Sequence, residues 1–247
     1  MPRARRVSAG NLIYHVINRA NGRRRIFDRD ADYLAFEHIL VETHARIPMR
    51  ILAYCVMPNH WHFVLWPASD GALSRFVRWL TSTHTQRRHV HRDSVGTGHL
   101  YQGRFKSFVI QSDHHFLTVC RYVEANALRA GLVGRAEDWR WSSLWRRTRG
   151  HAADHALLSR WPGEYQGDWT RLVNESQPAR ELSKLRQSVT RNRPFGDDAW
   201  TRAAAQSMGL GSTLRPRGRP QRRADSPPVG SAAPLPQTPT NSREKGA

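Results

Sequence analysis

Acidic side chains are scarce: 20 Asp and Glu stand against 39 Lys and Arg, leaving a formal charge of +19. A surface this basic points to a polyanion, because phosphate contacts by Lys and Arg release condensed counterions and bind nucleic acid even without sequence preference. Arginine far outnumbers lysine, and its guanidinium fork grips phosphate and guanine edges bidentately. The bland alternative is a merely soluble or ribosome-associated basic protein. Cysteine is nearly absent; Cys55 and Cys120 have no partner at metal-motif spacing, and a reducing cytoplasm fits. No window approaches the ~18 apolar residues of a membrane span. The basic start "MPRARRVSAG" is followed by no sustained apolar stretch, so neither a leader nor a membrane partner is expected. The glycine loops that cradle phosphates in NTPases are missing too.

What is present is a chain of 247 residues with 39 % apolar content and nine tryptophans, enough for one large domain or a core domain with extensions. "NLIYHVINR" alternates as a strand does, and "NGRRRIFD" reads as a basic turn. From Asp30 to Arg46, Tyr33, Phe36, Ile39 and Leu40 recur at helical spacing, with Asp28 or Asp30 available as cap and Pro48 as stop. "RILAYCVM" and "HWHFVLW" flank the turn residues Pro58 and Asn59 and read as an antiparallel pair. A helix follows over Ala72 to His91, then a strand in "LYQGRFKSFVI" and a helix in "DHHFLTVCRYVEANALRAGLV", with Asp113 near its start and Gly131 at its end. This order predicts an α+β architecture of ferredoxin-like type, helices packed on one side of an antiparallel sheet. Residues 1–150 are expected to form this domain, with a short helix over Trp139 to Arg149. Residues 151–214 should add small helices with "RNRPFG" as a loop between two of them, and 215–247, rich in Pro, Arg, Gly and Ser, should be a disordered tail.

Within "MPNHWHFVLWP", His60 and His62 share one face of a strand while Trp61 faces the other layer. Two neutral imidazoles side by side can ligate a divalent transition ion and are acceptable to Mn²⁺. Structural histidines are commoner than ligands, and the sequence carries its own control. His89 and His91 repeat the spacing near the end of a predicted helix, where residues two apart diverge by about 200°. His114 and His115 are adjacent and are expected to diverge as well. Tyr122 and Asn126, four apart on a predicted helix, share a face. Asn126 could offer a neutral oxygen as third ligand beside Tyr122; an ordinary packed tyrosine and a helix-end asparagine are the alternative.

"YHVINRANGRRRIF", "MPNHWHFVLWP", "LYQGRFKSFVI", "RYVEANALRAGLV" and "RPFGDDAW" through "GLGSTLRPRGRP" together resemble the REP-associated tyrosine transposases. These are domesticated relatives of the small single-tyrosine insertion-sequence transposases of the HUH superfamily. The likeness spans about Asn11 to Pro220, and five linked motifs are more specific than one. It implies an HUH nuclease fold, with His60 and His62 as metal ligands, Tyr122 as nucleophile and Asn126 completing the site for Mg²⁺ or Mn²⁺. Ala127 stands where the family usually has proline. The other tyrosines, Tyr14, Tyr33, Tyr54, Tyr101 and Tyr165, do not match the nucleophile position.

The implied reaction is cleavage and rejoining of single-stranded DNA at hairpins of palindromic repeats, through a 5′-phosphotyrosine. Arg23, Arg24, Arg25, Arg87, Arg88, Arg104 and Lys106 are candidate DNA contacts, clustered in the first turn, at the second helix end and beside the site. Arg217 and Arg219 lie in "RPRGRP", which looks like a core for entering an A·T-rich minor groove. The chain is expected to be cytoplasmic and nucleoid-associated, as monomer or homodimer. A catalytically silent hairpin-binding regulator and an RNA-binding protein are the competing readings; neither needs the set His60, His62, Tyr122 and Asn126.

Overall fold

The computed structural model describes residues 7–163 and 165–215; the expected tail beyond Arg215, with Arg217 and Arg219, lies outside them. The core runs β1 (Ile13–Arg19), α1 (Asp30–Arg46), β2 (Arg50–Met57), β3 (His60–Trp66), α2 (Ala72–His91) and β4 (Lys106–Ile110). The strands form one antiparallel sheet in the order β2-β3-β1-β4, the split βαββαβ arrangement of ferredoxin-like domains. The α+β class read from the sequence is therefore the class of the fold.

Period-two alternation divides the strand residues between two layers. Tyr14, Val16, Trp61, Phe63 and Leu65 form one buried cluster with the stripes Tyr33, Phe36, Ile39, Leu40 of α1 and Leu73, Phe76, Val77, Leu80 of α2. These two helices share one side of the sheet, as expected. The opposite face carries Ile13, Cys55, Val64, Phe108 and Ile110, and a third helix, α3 (His114–Glu124), covers it with Phe116, Val119, Cys120 and Val123. Helices thus lie on both faces, because β1 and β3 are apolar on both and bare hydrophobic surface on either side would be costly.

Element ends follow local chemistry, with three departures from the sequence reading. Neither Asp28 nor Asp30 caps α1; Asp32 does so from inside, its Oδ2 accepting the Asp28 and Arg29 N–H groups at 2.9 and 3.0 Å. The strand expected from Leu100 begins only at Lys106. Between the pairs Ile17–Lys106 and Ala20–Tyr101, three steps along β1 and just past its end face five in the segment leading into β4, so residues 102–105 bulge away from the ladder. The helix expected over 113–131 breaks at Ala125 and resumes as α4 (Asn126–Arg129). Asp113 does cap α3, accepting the His115 N–H at 2.8 Å. Gly131, at φ +68°, closes α4 while Leu132 N–H reaches the Ala127 carbonyl at 3.0 Å.

Beyond α4 come α5 (Ser143–Arg149), α6 (Ala152–His155), α7 (Trp169–Asn174), α8 (Ala179–Arg191) and α9 (Asp198–Ser207). The extension is helical, as expected, and it packs on the α3 face: Leu185 of α8 and Phe195 join the same buried cluster. "RNRPFG" is the loop between α8 and α9, and Phe195 in it pairs with the β4 edge through Val109 and Gln111, each at 2.9 Å. Glu124, fully buried at the end of α3, accepts from Ser143 Oγ, Arg147 Nη1 and Trp169 Nε1 at 2.5–2.6 Å, tying α3 to α5 and α7.

Candidate active site

The α3 face of the sheet holds three histidines. His60 and His62 point to the same side of β3, ring centroids 5.0 Å apart. Trp61 points to the α1–α2 layer, where its Nε1–H donates to the Tyr101 hydroxyl at 3.1 Å. The third, His15 on β1, pairs in register with Val64, so His62 lies diagonally across from it. His15 Nε2 and His62 Nδ1 are 2.8 Å apart, a hydrogen bond fully inside the protein. His60 Nδ1 is 2.6 Å from Asn59 Oδ1. Because an amide oxygen only accepts, His60 carries its proton on Nδ1 and presents the Nε2 lone pair.

Burial keeps all three rings neutral. It pushes His15 down to about 3, and burial with the nearby Arg19 does the same to His60. His62 is lowered well below the ordinary imidazole range by burial and then by His15. Neutral imidazoles with one nitrogen engaged and the other free are what a metal ligand pair requires. This donor set fits a divalent ion.

Tyr122 comes down from α3 onto the same histidines, its ring centroid 5.9 Å from that of His62 and 6.3 Å from that of His15. One guanidinium organises the residues around it. The Cζ of Arg129 lies 4.3 Å from the Tyr122 ring centroid, and its Nη2 donates to the Tyr122 carbonyl and to Asn126 Oδ1, both at 2.9 Å. Asn126 therefore reaches this cluster from the first turn of α4, not from a continuous helix. Its Nδ2 is buried without a hydrogen-bond partner and can only donate, so a contact to a cation from Asn126 has to use Oδ1, the atom Arg129 already holds.

Beside this cluster opens a cleft of about 630 Å³ lined by Arg19, Arg23, Gln102, Arg104, Lys106 and Asn192. Arg19 stands opposite His60 in the β1–β3 register, and Lys106 is paired with Ile17, itself opposite His62. Burial and the neighbouring Arg23 hold Arg19 below the ordinary arginine range, the signature of crowded cations in a partly buried wall. The bulge at 102–105 and the end of α8 supply the other walls. Of the candidate DNA contacts, Arg23, Arg104 and Lys106 meet here. Arg24 and Arg25 are exposed in the β1–α1 connection, Arg25 lying 3.7 Å from Asp28. Arg87 and Arg88 sit on α2, behind the sheet. Arg87 grips Glu42 with both terminal nitrogens at 2.8 and 2.7 Å, and Arg88 donates to the Ile26 carbonyl at 3.0 Å.

The decoy histidines behave unequally. His89 and His91 end α2, as read. His114 and His115 do not diverge: their ring centroids are 4.0 Å apart, and with Asp113 they offer ligand atoms within 4.8 Å of one another. The cause is the cap, since Asp113 Oδ1 accepts from both the His115 backbone and its Nδ1. His15, Arg19, Asn59 and Arg129 escaped the sequence reading. Strand parity was the available signal for His15, and the three- and seven-residue offsets from Asn126 and Tyr122 for Arg129.

Residues 8–126 match the family described as Transposase IS200 like. That match is in agreement with the motif resemblance. Among solved structures the chain is similar to a REP-associated tyrosine transposase bound to a REP hairpin, at 22 % identity and a TM-score of 0.49, over 68 % of this chain and 100 % of that one. It is also similar to a protein of Deinococcus radiodurans R1 provisionally described as a transposase, at 22 % identity and a TM-score of 0.35, over 50 % of this chain and 96 % of that one. No curated protein matches the chain. Among the described residues no helix is long and apolar enough to cross a membrane.

Proposed function

We propose that this protein is a transposase that cleaves and rejoins single-stranded DNA at hairpin sites through a covalent bond to Tyr122. The observation that carries the reading is the approach of Tyr122 to within 5.9 Å of His62, ring to ring, beside a cationic cleft. Tyr122 Oη attacks the scissile phosphorus, the bond to the 3′ oxygen breaks, and a 5′-phosphotyrosine and a free 3′-OH result. The phenolic proton passes to solvent and the leaving oxygen takes one up, so the phosphodiester bond energy is kept and no nucleotide is consumed. Attack by the 3′-OH on the same linkage reverses the step and rejoins strands.

A phenol is a weak nucleophile near pH 7. His60 and His62, with Asn126 through Oδ1, would hold Mg²⁺ or Mn²⁺, which would polarise the scissile phosphate and stabilise the charge developing on it. The chain's own part is to fix Tyr122 with Arg129 and to bind the strand along Arg19, Arg23, Arg104 and Lys106. Preference for a palindromic hairpin rests on the motif resemblance.

The test is incubation of the full chain with a single-stranded hairpin oligonucleotide and Mn²⁺, wild type against Tyr122→Phe. A denaturation-resistant protein–DNA adduct in the wild type alone supports the reading. An adduct that survives in the variant moves the nucleophile elsewhere, and no adduct on any hairpin favours the silent binder.

A further inference from the structure

We infer that His15, which lies outside the His-x-His motif, is a positioning residue that sets which nitrogen of His62 is free to bind the metal; the inference rests on the metal role just proposed for His62. His15 is fully buried, and the 2.8 Å contact between its Nε2 and His62 Nδ1 joins two neutral rings. A hydrogen bond between neutral imidazoles holds one proton, so it exists in two forms. If His15 donates, His62 keeps its proton on Nε2 and has no lone pair outside the bond. If His62 donates from Nδ1, its Nε2 lone pair is free, and His15 carries its own proton on Nδ1. Only the second form makes His62 a ligand, and it matches the form that Asn59 imposes on His60.

The second form has a visible cost. His15 Nδ1 is buried and has no hydrogen-bond partner, so the ligand form leaves a buried N–H unsatisfied, whereas the other form leaves only an acceptor. A histidine kept for packing alone gains nothing from that arrangement beside Phe108, whose ring lies 4.8 Å away. A histidine kept to accept a proton from His62 requires it. Packing holds the geometry: His15 is on central strand β1, between Val64 and Phe108 in the two ladders, and cannot swing away from His62.

The test uses the full chain, freed of metal, and Mn²⁺ as probe. His15→Phe preserves an aromatic ring and removes the acceptor; His15→Gln places an amide oxygen near the Nε2 position and restores it. Removing an outer partner of a metal-bound histidine typically weakens binding on the order of 10–100-fold. Mn²⁺ affinity, from the paramagnetic signal of the free ion, should fall by that factor in His15→Phe and return to within a few-fold of wild type in His15→Gln. Long-range ¹⁵N NMR of the wild type with Mg²⁺ should find the His62 proton on Nδ1. Equal affinity in His15→Phe, no recovery in His15→Gln, or a His62 proton on Nε2 would each overturn the inference. The NMR arm decides it even if His15→Phe fails to fold. Failure of wild type itself to bind Mn²⁺, with His60→Ala indistinguishable from it, overturns the metal reading and the inference with it. Mn²⁺ binding lost in His60→Ala but kept in His15→Phe overturns the inference alone.

Discussion

The guanidinium of Arg129 covers the ring of Tyr122 at 4.3 Å while a single nitrogen, Nη2, holds both the Tyr122 carbonyl and the Asn126 side chain. α3 breaks at Ala125, and Arg129 bridges the break, so it sets where the proposed nucleophile and the proposed third ligand stand relative to each other. Arg129→Met keeps the apolar stem and removes the bridge. Displacement of a reacting group by about 1 Å costs on the order of 10²-fold, and adduct formation by Arg129→Met should fall by about that factor with hairpin affinity nearly unchanged. A rate within two-fold of wild type in a gel time course would remove Arg129 from the site.

His60→Ala or His62→Ala should abolish measurable adduct formation and Mn²⁺ binding. His91→Ala, in the same spacing on the exposed end of α2, should leave both untouched and change stability by no more than about 0.5 kcal/mol. Isothermal titration with Mn²⁺ on the three variants checks it, and loss of binding in His91→Ala would contradict the assignment.

Strand binding should depend on the cleft and not on the back of the sheet. Arg104→Ala with Lys106→Ala should weaken single-stranded DNA binding and reduce the slope of log K against log salt by about 1.4, roughly 0.7 for each phosphate no longer neutralised. Arg87→Ala, which only releases Glu42, should leave affinity and slope as they are. Fluorescence anisotropy at several salt concentrations distinguishes the two; an equal slope in the double variant would place the strand elsewhere.

Glu124 holds α3 against α5 and α7 through three donors in the interior. Glu124→Ala leaves Trp169 Nε1 without its acceptor, Arg147 with only the Leu52 carbonyl and Ser143 with only the Tyr54 carbonyl, and should cost about 3 kcal/mol, with Glu124→Gln losing less because it still accepts. Chemical denaturation measures both, and equal losses would mean that the charge, not the acceptor, matters.

Stability should fall on mild acidification. Burial pushes His84 down to about 3, while its unfolded value is near 6.5. Between these values the unfolded chain takes up a proton that the folded chain refuses, so unfolding becomes easier by roughly 1.4 kcal/mol per pH unit below 6.5. His15 acts in the same direction. The unfolding midpoint in urea, followed from pH 7 to pH 5, should decrease, and His84→Asn should show a shallower dependence. An identical slope in that variant would remove His84 as a cause.

The sequence by itself determined the parts whose information is periodic. The bounds of α1 and α2, the strands around "HWH" and the shared face of His60 and His62 are local consequences of period 3.6 and period 2, and the helical decoy at His89 and His91 was legible on the same ground. Only the linked motifs, through their family resemblance, point to Tyr122; its spacing suits an ordinary packed tyrosine equally well. Tertiary structure decided the rest, because the deciding contacts join residues far apart in the chain. His15 meets His62 across 47 residues through strand register, and Arg104 and Lys106 meet Arg19 only where the β4 ladder bulges. The second helical layer and the separation of Arg87 from the site likewise follow from which face each strand buries, a choice that alternation permits and only packing makes.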